Sequence, residues 1–138
     1  MRLPTHRLTK TARGHLEKIL RDTARKWGYE QAASYRRALS EGFRYIAENH
    51  QNFNSPHREE LAEGTDFSIH LVEHHYVSFR VHDAGSVIIA GIFHEKMNIP
   101  ARLRELQSMS RHEIATVEDQ IERERVSTSK PPGHDIAD

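Results

Sequence analysis

Apolar residues recur at helical spacing twice in the first fifty positions. Lys10–Trp27 sets Ala12, Leu16, Ile19, Leu20, Thr23 and Trp27 along one side, and Thr9 or Thr11 stands where an N-cap belongs. Arg13, Glu17, Arg21 and Arg25 follow i+4 steps on another side, which predicts an ion-pair ladder. Gly28 suits the end of that helix. Tyr29–His50 repeats the period with Ala32, Tyr35, Leu39, Phe43 and Ile46. A one-residue break between the two predicts an antiparallel helical hairpin with an apolar face left over for a sheet.

Further along the chain the period falls to two. Phe67–Val72 alternates Phe67, Ile69 and Leu71 against Ser68, His70 and Val72. Tyr76–Val81 alternates Val77, Phe79 and Val81 against Tyr76, Ser78 and Arg80. Val87–Phe93 is almost continuously apolar, the pattern of a central strand covered on both faces. Asp83-Ala84-Gly85 joins the last two strands, with Gly85 expected to supply a positive φ. Arg2–Thr9 is short enough for a first strand, and Pro4 confines it to an edge. The sum is an α+β fold, β-α-α-β-β-β, with two helices on one face of a small, mostly antiparallel sheet.

Beyond Pro100 the pattern thins. Ala101–Met109 is helical in spacing, and Ser110-Arg111-His112-Glu113 matches a capping box that opens a helix to about Arg125. Ile114, Val117 and Ile121 give that helix only three apolar positions, few for a docked element. The division expected is a domain over residues 1–104, a helical extension over 105–125 and a disordered tail over 126–138.

Composition narrows the function. The 138 residues contain no cysteine, which excludes disulfides, thiolate zinc sites and a cysteine nucleophile, and fits a reducing cytoplasm. No apolar run reaches the ~18 residues of a membrane span, and the first residues lack the apolar core of a signal peptide. The net charge of zero conceals a split. Residues 1–58 carry 12 Lys+Arg against 5 Asp+Glu, residues 59–104 carry 4 against 7, and residues 105–138 carry 4 against 8. A basic helical front suggests an acidic partner or nucleic acid.

Eleven histidines raise the question of a metal, but no H-E-x-x-H occurs and His74-His75 would point to opposite faces of a strand, so no metal or other cofactor is expected. A metal-free RNA-cleaving site needs an acid, a base and cations for the phosphate. His70, His75, Arg80 and His94 could supply them if the sheet is concave and open. Arg80 could equally pair with Glu73 or Glu95. There is no glycine-rich phosphate loop, no G-x-S-x-G and no aromatic stacking platform.

Three segments carry a family resemblance: LTKTARGHLEKILRDTARKWG after the opening strand, YEQAASYRRALSEGFRYIAENH, and EHHYVSFRVHDAGSVIIAGIFHEKMNIPARL with its His-x-x-x-Asn-Ile-Pro ending. In order and spacing, over about residues 3–104, they resemble the ParE branch of the RelE/ParE superfamily, toxins of type II toxin–antitoxin pairs. The resemblance implies the β-α-α-β-β-β fold, a cognate antitoxin and DNA gyrase as target. The related RelE branch instead cleaves messenger RNA on the ribosome, but His94–Ile99 has no Tyr or Arg and Phe67–Val72 no Lys or Arg. That alternative would rest on His94, Arg80, His75 and His70; a third is a non-toxic binding module. Together with the charge split, the resemblance nominates Arg13, Arg21, Arg25, Arg36, Arg37, Arg80, His94 and Lys96 for antitoxin or target binding. A homodimer or a toxin–antitoxin hetero-oligomer fits such a chain, and a membrane partner does not. The acidic extension Glu105–Asp138 is expected to fold onto the basic surface or steady a dimer, so that its deletion raises toxicity or changes oligomeric state.

Overall fold

Thr9 begins the first helix. Its hydroxyl accepts a hydrogen bond from the Ala12 N–H at 3.1 Å, which settles the N-cap on Thr9 rather than Thr11. A computed structural model describes residues 3–52, 59–83 and 85–129. Helix α1 (Lys10–Trp27) ends at Gly28, whose φ of 96° is open to glycine at little cost, and α2 (Tyr29–Asn49) starts on the next residue. The ion pairs of α1 converge on Asp22, from Lys18 at 2.8 Å and Arg25 at 3.8 Å, so the predicted ladder through Glu17 is replaced. Leu39, Phe43 and Ile46 are buried as the spacing predicts. Trp27 is not, with 67% of its surface exposed at the hairpin tip.

The sheet has the order β1-β4-β3-β2, formed by β1 (Thr5–Leu8), β2 (Ser68–Val72), β3 (His75–Asp83) and β4 (Ser86–His94). β1 runs parallel to β4, and the other pairings are antiparallel. The two-residue turn before β3 places Glu73 at φ 55°, whereas Gly85 is not among the positive-φ residues. The β3–β4 turn is held instead by the Asp83 carboxylate, which accepts from the Gly85 N–H at 2.9 Å.

β4 is buried along its length to Phe93, and a bulge divides it. Ser78 faces Gly91 and Phe79 faces Ile89, which leaves Ala90 as an extra residue. Val87 and Ile89 lie on the hairpin side, with Val72, Val77 and Phe79; Ile88 and Ala90 lie on the other. The bulge resets the alternation, returning Ile92 to the hairpin side and Phe93 to the opposite side.

At Gly42 on α2, helix and sheet approach closely. A Cβ there would sit 2.6 Å from one Val72 methyl and 2.7 Å from the other. Gly42→Ala gains about 1 kcal/mol of helix propensity, yet we expect a net loss of about 1–3 kcal/mol from overpacking. Pairing it with Val72→Ala should recover part of the loss, read as a positive coupling in denaturant melts.

The second sheet face corrects the expectation of an appendage. Helices α3 (Ile99–Met109) and α4 (Arg111–Ser129) cover it. Asn98 caps α3 by accepting from the Ala101 N–H at 3.3 Å, and Pro100 sits in the first turn, where no N–H is needed. Ile114, Val117 and Ile121 of α4 are all buried with Ile88, Ala90, Leu103 and Leu106, so three apolar positions suffice to dock it. α4 also runs four residues into the stretch expected to be disordered, and residues 130–138 of that stretch lie outside the described residues.

The predicted capping box does not close. The Ser110 hydroxyl is buried without a partner, while the Glu113 carboxylate accepts from the Thr11 N–H at 2.7 Å and the Thr11 hydroxyl at 2.6 Å. Glu113 thus caps α1, which has no acidic residue in its own first turn. Three other acids of α4 meet the sheet: Glu124 pairs with Arg7, and Glu122 and Glu118 lie 2.7 and 3.5 Å from the two ring nitrogens of His82. Among the described residues, these acids meet the basic front at Arg7 of β1 rather than at the arginines of the hairpin.

Candidate functional site

The exit of β4 lies beside the start of β3, because His94 and His75 are register partners. Their rings meet edge to face at 5.1 Å, and His74 stacks on His94 at 6.5 Å while its Nδ1 lies 2.7 Å from Glu95. α2 reaches into this cluster through Tyr35. The Tyr35 oxygen accepts from the His74 N–H at 3.3 Å and lies 2.5 Å from His75 Nδ1. Burial raises the Tyr35 pKa, so its hydroxyl keeps its proton.

Two of the histidines here, His75 and His15, are held below the usual imidazole range. Burial, reinforced by His94 and His74, lowers the His75 pKa to about 4. Burial likewise lowers that of His15, with Glu113 acting in the opposite direction. His15 uses Nδ1 to accept from the Ile92 N–H at 3.1 Å, just past the point where β1 stops pairing with β4. His94 Nδ1 accepts from the Lys96 N–H at 3.1 Å, so a neutral His94 carries its proton on Nε2 and presents a donor.

A groove of about 470 Å³ opens in front of this cluster. Ile19, Ile92 and Phe93 form its apolar floor, and Lys18, Lys26 and Arg102 bring positive charge to it against Asp22. Trp27 and Met97, both well exposed, complete the lining. The volume falls within the roughly 300–1,000 Å³ of ligand-sized clefts.

Of the four residues proposed for RNA cleavage, the fold brings together only His75 and His94. Arg80 lies five positions from His75, roughly 17 Å along the strand, and by alternation with Tyr76 it stands on the face under α3 and α4. His70 lies beside Tyr45 of α2, ring centroids 5.4 Å apart. Arg13, Arg21, Arg25, Arg36 and Arg37 are exposed along the hairpin, and Lys96 is exposed next to the groove. Among the described residues, the one cluster with metal-ligand spacing is His82, Asp83 and Glu122, and Arg125 bridges its two carboxylates.

Lys18, Lys26, Trp27, Met97 and Arg102 were not singled out as site residues from the sequence. A signal was present. Thr11, His15, Lys18, Asp22 and Lys26 share one helical stripe beside the apolar one, yet only the position of β4 and α3 shows that this stripe faces a groove.

Comparison with known proteins bears on the whole assembly. Residues 7–99 match the family model of the ParE toxin of type II toxin–antitoxin systems, parDE. No curated protein matches the chain. Among solved structures, one from the chromosomal ParDE toxin–antitoxin system of P. aeruginosa is similar in fold, with a TM-score of 0.54 at 18% identity. The similarity covers 67% of this chain and 96% of that one. The family match starts inside β1, spans both helices of the hairpin and the other three strands, and stops where α3 begins. On that match, the chain belongs to the ParE toxin family of type II toxin–antitoxin systems.

Proposed function

We propose that this chain is a toxin that acts by binding, with DNA gyrase as its target in the cytoplasm and a cognate antitoxin as its inhibitor. Family membership supports the toxin and antitoxin roles. The observation that favours binding over RNA cleavage is the closure of the second sheet face. Cleavage by the residues proposed for it requires an open face with an acid, a base and a cation in reach of one phosphate. Here α3 and α4 cover the face that carries Arg80, and strand alternation holds it away from His75 and His94. Among the described residues, no helix is long and apolar enough to cross a membrane.

The test is gyrase supercoiling with the purified chain, scoring loss of supercoiling and trapped cleavage complexes together. Inhibition is expected, with reversal by the antitoxin and no more than about a twofold change for His94→Ala or Arg80→Ala, since neither is asked to transfer a proton. A folded chain that leaves gyrase untouched but cleaves ribosome-bound messenger RNA, and loses that activity with His94→Ala, would establish the other branch's chemistry.

A further inference from the structure

The β3–β4 pairing is broken a second time, at His82. Val81 faces Val87 and Asp83 faces Ser86, so His82 is an extra residue between them. Regular alternation would send His82 and Asp83 to opposite faces of the strand. With the bulge, both meet α4: His82 lies against Glu118 and Glu122, and Asp83 pairs with Arg125. On α4, Glu118, Glu122 and Arg125 follow at steps of four and three residues and so share one side of the helix. Two of these groups come from the family-matched residues 7–99 and three from the continuation beyond them.

Charge and ligand geometry at this junction both favour a cation. Three carboxylates, of Asp83, Glu118 and Glu122, stand against the single guanidinium of Arg125. The nearby Arg7 and Arg123 are engaged elsewhere, by Glu124 and Asp119. A neutral imidazole has one N–H, so it donates to only one of two flanking carboxylates and turns a lone pair toward the other. His82 is flanked in this way, with Nε2 2.7 Å from Glu122 and Nδ1 3.5 Å from Glu118. Ligand atoms of His82, Asp83 and Glu122 all lie within 4.8 Å of one another. The Asp83 carboxylate is already oriented, because its other oxygen accepts from the Gly85 N–H at 2.9 Å. The His82 side chain is only 15% exposed, whereas the carboxylates are open enough for an ion to enter.

We propose that His82, Asp83 and Glu122, with Glu118 beside them, form a site for a divalent transition-metal ion of the zinc class. An imidazole with carboxylates suits zinc and its neighbours better than magnesium, which prefers oxygen ligands and retains its waters. Arg125 is the resident counter-charge, and the ion takes its place between Asp83 and Glu122. Bound there, the ion ties α4 to the β3–β4 turn and holds the cover on the second sheet face.

The test is calorimetric titration of the full, chelator-washed chain with zinc chloride, paired with thermal melts and with magnesium chloride in parallel. Zinc should bind at one site per chain. At a hundredfold excess over Kd it should raise the melting temperature by roughly 5–10 °C, and magnesium should leave it unchanged. Glu122→Gln and His82→Ala should each weaken zinc at least tenfold. Arg125→Gln should tighten it, since the competing cation is gone; a merely structural salt bridge would give a less stable chain with no gain in zinc affinity. Absence of zinc binding, zinc affinity unchanged by Glu122→Gln and His82→Ala (an ion held by other histidines), equal stabilisation by magnesium, or weaker binding in Arg125→Gln would each overturn the proposal.

Discussion

Truncation after Ser110 should leave a chain with no cooperative thermal transition. The deletion removes Ile114, Val117 and Ile121, all buried, at about 1.5–3 kcal/mol each or roughly 5–9 kcal/mol together. A domain of this size has about 5–15 kcal/mol in total. It also uncovers Ile88 and Ala90 of the central strand and deprives α1 of the Glu113 cap. Circular dichroism with dye binding would show retained helix, lost cooperativity and exposed apolar surface. The graded version is Ile121→Ala, expected to cost about 2–4 kcal/mol and to lower the melting temperature by roughly 10 °C. A truncated chain that melts cooperatively near the full-length temperature would return α4 to the status of an appendage. The prediction also bears on toxicity. Charge alone suggested that removing the extension would raise it, whereas burial of α4 predicts that deletion lowers it with the fold.

Acid should weaken the fold through histidine, beginning above the range where carboxylates titrate. His75 has a folded pKa of about 4 against 6.5 for the free side chain. Between those values the unfolded chain binds a proton that the folded chain refuses. Stability is therefore full above about pH 6.5 and is lost as pH falls through the window to about 4. The whole shift corresponds to about 3.4 kcal/mol, and the partial exposure of the ring reduces that to about 1–2 kcal/mol. His15 and His6 are both lowered mainly by burial and act with the same sign. Urea unfolding at pH 7, 6, 5 and 4.5 should show a falling midpoint, and His75→Gln should flatten part of the slope. A midpoint constant down to pH 5 would mean that the cluster holds its charge as freely as solvent histidine.

The legible part of this fold was its short-range part. α1 is fixed by Thr9 at one end and Gly28 at the other, both local signals, and its predicted span agrees with the observed one. The unbroken apolar run of β4 announced a strand covered on both faces. The candidate site was less legible. His75 and His94 are nineteen residues apart, and they meet only because β3 and β4 pair in this register. Arg80 was grouped with them because it lies on the same strand, but strand alternation turns it to the opposite face.

The sequence by itself determined the helical hairpin, the strands, the absence of thiol chemistry and the ParE resemblance, because periodicity, caps and residue types act over a few positions. Only the tertiary structure decided the use of α4. Its Ser110–Glu113 signature is the same whether the glutamate turns inward to its own helix or outward to another, and Thr11, a hundred residues earlier, is what it finds. Tertiary structure likewise decided that Trp27 stays exposed beside a groove walled by α3. Helical spacing says which residues share a side of a helix, and only the packing of distant elements says what that side faces.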